Sequence, residues 1–384
     1  MQGIILGMLS KASTFSLFSG ISAASGAISR WFPVPSLLFP RAAGVDISDT
    51  SLKWIVLETR RGGTEVRSYG NVELTAGIVV NGIVEDPAAL GDAISAVASR
   101  WDGVECAHAA LPEEAAYVFS MHIPHDSSRE RMRSIIEFEL EGRVPISPSA
   151  AIFDFDMISR EAGAEDEISV YVFPRELAAS YADAFLHSSV RLLSLELESR
   201  SAARAVSSGR PDEPITLLVD FGRLRTGLAV LKRGIPIFTS TVMIGGDMID
   251  RTLGEKLSLT PEALAHFKNE EGLLLQEGKN SAGRVAISGV ASALADEITR
   301  HHHYWDTRRN ERGERVTPVE QVYLIGGSAN LKGLGDHIAA RVQADVARPN
   351  VWQHVCSFDD YIPPLDRRVS LEYATAIGLA LRSA

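Results

Sequence analysis

The chain has 384 residues, 45% hydrophobic and 23% charged, the composition of a globular protein with room for two or more subdomains. Its formal net charge of −11 excludes a nucleic-acid backbone as the main partner, because that binding needs a basic surface. Two distant cysteines, Cys106 and Cys356, are too few for a disulfide framework and read as reduced core thiols.

The first forty residues stand apart. Lys11 and Arg30 are their only charges, and apolar residues (Ile4, Ile5, Met8, Leu9, Phe15, Leu17, Phe18, Ile21) alternate with Ser, Gly and Ala before Trp31-Phe32. No apolar run reaches the roughly 20 residues needed to span a bilayer, and no basic segment opens a secretory signal. The segment reads either as an interfacial amphipathic stretch anchored by Trp31 and Phe32, or as a disordered extension or sequence ahead of the true start. The folded body begins near Ala42.

Gly44 to Ile47 predicts a strand, Ser48 to Ser51 a polar turn, and Leu52 to Leu57 the returning strand, with Asp46 near the end of the first. Asp86 caps a helix over Pro87 to Ser99 with Leu90, Ile94 and Val97 on one face. Short strands follow at His108 to Leu111 and Tyr117 to Ile123. Ser127-Ser128 then opens a helix whose stripe is Met132, Ile135, Ile136 and Leu140, ended by Gly142 and Pro145. Ala151 to Ile158 and Ile168 to Phe173 read as strands, and Glu176 to Ser188 as a helix.

After a Pro/Gly/Ser-rich break at 207–214 the first pattern returns. Ile215 to Asp220 is an apolar strand ending in Asp, then comes the turn Phe221-Gly222-Arg223-Leu224-Arg225-Thr226-Gly227, then Leu228 to Leu231 and Pro236 to Phe238. The two strand–Asp–turn–strand units are a repeat of architecture rather than of residues. Further on, Val322 to Ile325 runs into Gly326-Gly327-Ser328 and an apolar helical spacing at Leu331, Leu334, Ile338 and Val342. A strand, two glycines and a helix start suit an anionic or nucleotide ligand. Phosphates with a divalent cation need close N–H groups, hydroxyls and carboxylates. The two turns offer Ser48, Thr50, Ser51 and Lys53 beside Asp46, and Gly222, Thr226 and Gly227 beside Asp220.

In this order the three segments resemble the two phosphate motifs and the adenosine motif of the actin, hexokinase and sugar-kinase superfamily. Within it the chain is similar to the type IV pilus PilM family from about Gly44 to Arg382. The likeness is carried by GVDISDTSLKWIVLE (44–58), RMRSIIEFELEGRVPISPSAAIFDF (131–155), LLVDFGRLRTGLAVLKRGIPIFTSTVMIGGDMI (217–249), EITRHHHYW (297–305), VYLIGGSANLKGL (322–334) and EYATAIGLALR (372–382). It implies an α/β, actin-like two-lobed fold with duplicated ribonuclease-H-like subdomains and a small inserted α+β subdomain. The expected division is an extension at 1–41, a first lobe at 42–206 with the insert at about 75–190, and a second lobe at 207–384.

The resemblance also implies ATP and Mg2+ as cofactors. Asp46 and Asp220 would hold magnesium through bound water, and Ser48, Thr50, Ser51 and Lys53 would face phosphates, with Gly222 and Thr226 opposite. Gly326, Gly327 and Ser328 would line the adenosine pocket, and Gly245-Gly246 would begin a helix near the sugar. Glu198 falls where relatives often place a carboxylate that orients the attacking water, or else is a solvated helix residue. Two features depart from the family pattern: Ser48 stands where Gly is usual, and Arg223 and Arg225 stand where small polar residues are usual. Both favour binding over hydrolysis, and any ATPase would be slow.

The implied role is a cytoplasmic adaptor, peripheral at the inner membrane. It would engage the cytoplasmic N-terminal peptide of a PilN-like membrane protein and self-associate, ring-like, with residues 1–40 as a further membrane contact. Alternatives are a scaffold of the same fold that binds no nucleotide, and a sugar or acyl kinase, for which no substrate-specific aspartate is apparent. His301-His302-His303 does not read as a metal site, because successive helical positions point roughly 100° apart. Trp101 and Trp352 read as packing residues.

Overall fold

The computed structural model describes residues 40–60, 63–160, 165–257, 259–274, 281–309, 313, 315–342 and 344–383. The apolar tail with Trp31 and Phe32 lies outside the described residues.

From the N-terminus, β1 (Ala43–Ile47), β2 (Ser51–Arg60) and β3 (Gly63–Glu73) form an antiparallel meander. A short hairpin, β4 (Val79–Val80) and β5 (Ile83–Val84), leads to helix α1 (Pro87–Ala98) and strand β6 (Cys106–Leu111). Asp86 caps α1 by accepting the Ala89 N–H at 2.9 Å, and Leu90, Ile94 and Val97 are its buried face. An inserted unit follows, made of β7 (Tyr117–Ile123), α2 (Arg129–Arg143), β8 (Ala151–Ser159) and β9 (Asp166–Pro174). Then come α3 (Arg175–Leu186), β10 (Arg191–Leu197) and α4 (Glu198–Val206).

The second half runs β11 (Ile215–Phe221), β12 (Thr226–Lys232), β13 (Ile235–Val242), α5 (Gly246–Leu257) and α6 (Pro261–His266). It continues with α7 (Ser281–Thr307), β14 (Val319–Ile325), α8 (Leu334–Ala339), β15 (Asp345–Ala347) and α9 (Ala374–Ala380). The sheet orders are β10-β6-β1-β2-β3 and β15-β14-β11-β12-β13. In each, a three-strand meander is extended by two parallel strands beyond its first member. The repeat seen in two short motifs is therefore a repeat of whole sheets.

Helices α4 and α9 form the layer shared by the two sheets. Their buried residues, among them Ala202, Ala376 and Ile377, pack with Ile55 of β2 and with Leu218 and Ile325 of the second sheet. Backbone contact makes this layer thin. A Cβ on Gly44 would lie 2.0 Å from the carbonyl oxygen of Ala376, so only glycine lets β1 meet α9 there. Trp101 and Trp352 are fully buried packing residues.

In the insert, β7, β9 and β8 make an antiparallel sheet covered by α2, whose N-cap is Ser128 and whose buried stripe is Met132, Ile136 and Leu140. Arg129, Arg133 and Arg143 of α2 stack over Phe155, Phe153 and Phe119 at 4.8, 5.0 and 5.1 Å. The insert docks on the edge of the second sheet. Ser169 Oγ donates to the Pro236 carbonyl at 2.5 Å, Lys232 Nζ lies 2.6 Å from Glu167, and Ile158 is part of the second lobe's core. No helix among the described residues is long and apolar enough to cross a membrane.

Candidate functional site

Residues directly opposite in an antiparallel pair share a face. Asp46 is opposite Lys53, and Asp220 is opposite Gly227, so both aspartates and their partners face one cleft of about 420 Å3 between the lobes. The same pairing places Phe221 and Thr226 on the core side. Thr226 is fully buried and its hydroxyl donates to the Ile244 carbonyl at 2.6 Å, so it does not face the cleft as the sequence reading expects.

The first turn is tightly bonded to itself. Ser48 N–H donates to the Ser51 carbonyl at 2.9 Å, Ser51 N–H donates to Ser48 Oγ at 3.1 Å, and Lys53 Nζ reaches Ser51 Oγ at 3.3 Å. Lys53 Nζ also lies 3.8 Å from Asp46 Oδ2. Ser48 is not in the left-handed region, so serine introduces no backbone strain in this turn. Ser48, Thr50, Ser51 and Lys53 all line the cleft.

Gly222, Gly326, Gly327 and Ser328 line it from the second lobe. Gly326 has φ +87°, and a Cβ there would strike Asp220 Oδ1 at 2.4 Å, so glycine is required for both conformation and space. The two glycines do not open a helix directly. A 3-10 turn over Gly327–Asn330 intervenes, and α8 starts only at Leu334. Gly245 and Gly246 brace the second turn from behind rather than line the cleft. Gly246 N–H donates to the Gly222 carbonyl at 3.0 Å, and a Cβ on Gly246 would lie 2.1 Å from Ser328 Oγ.

Glu198 is the first residue of α4, lines the cleft and has a neighbour that sequence reading missed. Glu113, in the turn after β6, accepts the Ser199 N–H at 3.1 Å, and its charge helps to raise the Glu198 carboxyl. Glu113 Oε2 fills the space over Gly227 that a Cβ would occupy, at 2.7 Å. Gly227 thus leaves room for an acid where the first unit carries Lys53. The signal was present: β6 lies parallel to β1 and runs through Leu111-Pro112 into an acidic pair, a third strand ending in acid.

Burial pushes all four carboxyls up. Asp220 rises to about 6, by burial and then by Asp46, with Lys53 opposing. Glu113 rises to about 8, by burial and by Asp220 against the hydrogen bond from Ser199. Glu198 rises well above the ordinary carboxylate range, by burial and by the charges of Asp46, Glu113 and Asp220. Asp46 also rises, by burial against Lys53. Such a floor favours protons or a multivalent cation. Among the described residues no three His, Cys, Asp or Glu side chains converge as direct metal ligands. A buried hydroxyl at the cleft, Thr241 Oγ1, has no hydrogen-bond partner among the described residues.

The two arginines of the second turn differ. Arg223 is exposed, 3.8 Å from Glu73, whereas Arg225 is largely buried and ion-paired with both Asp49 and Glu114 of the first lobe. The histidine run is structural. His302 Nε2 is 3.1 Å from the Val319 carbonyl, His301 packs on Phe238, and His303 is exposed.

A family model for type IV pilus assembly protein PilM matches residues 44–384. Among solved structures, the chain is similar to one titled "PilM-PilN type IV pilus biogenesis complex", with 20% identity, 90% of this chain and 99% of that chain covered, and a TM-score of 0.73. It is also similar to ethanolamine utilization protein EutJ from Carboxydothermus hydrogenoformans, with 16% identity, 91% of each chain covered and a TM-score of 0.50. With the duplicated sheets and the insert, these likenesses identify an actin-like, two-lobed fold.

Proposed function

We propose that this chain, which belongs to the type IV pilus assembly protein PilM family, is a nucleotide-binding adaptor of a pilus assembly platform. The observation that carries this is the convergence of two equivalent strand ends, Asp46 and Asp220, with the Gly326-Gly327 turn on one acid-floored cleft. Lys53 with Ser48, Thr50, Ser51 and Gly222 would receive the phosphates of ATP, and Gly326, Gly327 and Ser328 the adenosine. Asp46 and Asp220 would hold Mg2+ through bound water. The fit is chemical: a bound cation would let the buried carboxyls ionise, and the buried Thr241 hydroxyl at the cleft has no partner among the described residues. Bound Mg2+ would supply positive charge between carboxylates and phosphates.

Binding is favoured over turnover. Glu198 is the candidate for orienting water, and the Ser48, Arg223 and Arg225 departures from the family pattern are what make any ATPase slow. As an adaptor, the chain would sit peripherally at the cytoplasmic face of the inner membrane, bind the cytoplasmic N-terminal peptide of a PilN-like protein and assemble into a ring. The structural likeness to the chain from a PilM-PilN complex supports the choice of partner. Calorimetry with that peptide, with and without Mg-ATP, tests this half of the reading. No binding heat in either condition rejects it.

A second reading is a scaffold of the same fold without nucleotide, favoured by the Arg225 ion pairs that already join the cleft walls. Thermal unfolding with Mg-ATP separates the two. A ligand bound only to the folded state raises its stability, so the wild type should melt higher and Asp220→Ala should not respond. Equal absence of response in both proteins favours the scaffold.

A further inference from the structure

Strand β12 belongs to the second lobe, yet both its ends are fastened to carboxylates from the first half of the chain. At its far end Lys232 Nζ lies 2.6 Å from Glu167 of the insert. Just ahead of its start, Arg225 is ion-paired with Asp49 and with Glu114. Asp49 sits in the turn between β1 and β2, and Glu114 in the turn after β6, so a single guanidinium joins two separate elements of the first lobe. Its planar fork suits that double engagement, which a lysine would not reproduce.

The carboxylate that Arg225 meets is itself fixed. Asp49 accepts the Asn81 N–H at 2.8 Å and the Gly82 N–H at 2.9 Å, which also ties down the β4–β5 hairpin. The side chains of Arg225, Asp49 and Glu114 are 17%, 13% and 22% exposed, so solvent screens their attraction poorly. The Arg223–Glu73 pair has side chains 58% and 89% exposed at 3.8 Å and contributes little. Close by, Glu113 fills the space over Gly227, so the same turn of the first lobe meets the second both by charge and by packing.

We propose that Arg225 is an interlobe clamp that holds the cleft closed before any nucleotide enters. Separating the lobes would break both ion pairs of Arg225 and leave Asp49 only the Asn81 and Gly82 N–H groups, a cost the folded chain avoids by staying shut. Nucleotide then fills a cleft whose width is already set, instead of drawing two open lobes together. Resting on the adaptor reading above, the consequence is that the partner-binding form exists without nucleotide.

Small-angle X-ray scattering on the full chain, freed of nucleotide, tests the clamp. The wild type should show the same radius of gyration with and without Mg-ATP. Arg225→Gln should be more expanded without nucleotide and melt several degrees lower. Glu114→Gln is the milder second variant: it keeps the Asp49 pair and should expand less, in the same direction. Unchanged scattering of the nucleotide-free variants, or contraction of the wild type on adding Mg-ATP, overturns the proposal. Calorimetry of Mg-ATP on the same samples keeps the two ideas apart. Absence of binding heat ends the nucleotide reading, while the nucleotide-free comparison still decides the clamp.

Discussion

A methyl group on Gly378 would lie 1.8 Å from the carbonyl oxygen of Ser201, so α9 crosses α4 at backbone contact. These two helices are the layer that both sheets share, and Glu198 of the cleft is the first residue of one of them. Spacing in this layer therefore sets the spacing of the cleft walls.

Gly378→Ala should be destabilising by about 2 kcal/mol or more, since overpacking against backbone outweighs the better helix propensity of alanine. Gly289→Ala is the contrasting case. Gly289 lies inside α7 with nothing within 4 Å of an added Cβ, so alanine there should stabilise by roughly 0.5–1 kcal/mol. Urea midpoints of the two variants should move in opposite directions. Equal shifts would mean that the α4–α9 contact is not tight.

The raised carboxyls set a pH dependence with a definite sign. An acid whose folded pKa exceeds its unfolded one keeps its proton longer when folded, so stability falls as pH rises between the two values. For Glu113 that window runs from 4.5 to about 8. Burial holds His108 neutral down to about 3 from an ordinary 6.5, so it destabilises only as pH falls below 6.5. Above 6.5 the carboxyls act with His125, whose pKa is raised by its hydrogen bond to Asp166 and whose contribution is lost in the same direction, so only the part removed with Glu113 is its own. The melting temperature of the nucleotide-free protein should decline there, and Glu113→Gln should make the decline shallower. An unchanged slope would remove Glu113 from the cluster.

Lys53 is the cation beside Asp46, and a charge-assisted hydrogen bond to a phosphate contributes about 1.5–3 kcal/mol. Lys53→Met should therefore weaken Mg-ATP by more than about tenfold in calorimetry. An affinity equal to wild type would show that phosphate does not reach this side chain.

Much of this site was legible because its elements obey local rules. Asp86 and Ser128 cap the helices that their positions predict, and the strand–Asp–turn–strand units recur as whole sheets. What was missed depends on neighbours. β3 alternates exposed and half-buried residues along an edge, without the apolar run that marks a strand buried on both faces. Thr226 fails on strand parity, for a hydroxyl beside a useful glycine still points to the core if it stands opposite Phe221. Arg225 matters because the two lobes meet, which no local pattern encodes, whereas Glu113 was signalled only by a third strand ending in acid.

Glu196 offers a test of the frame that carries these groups. Its buried carboxylate accepts two hydrogen bonds from Arg204, at 2.5 and 2.9 Å, and one from Ser201 at 2.5 Å, and it is ion-paired with Arg382. Burial alone would raise its pKa, but Arg204 and Arg382 outweigh it and hold the carboxyl well below the usual range. Glu196→Gln would leave two guanidinium groups facing each other beside His108, and breaking a buried pair from one side costs about 3–5 kcal/mol. The wild-type contribution is present above the ordinary value of 4.5 and is lost as pH falls below it, so the variant should lose less stability on acidification. Removing Arg204 as well should cost less than the sum of the single changes, because the second deletion removes a charge already stranded. Strict additivity in urea unfolding would show that Arg204 and Glu196 do not act as a unit.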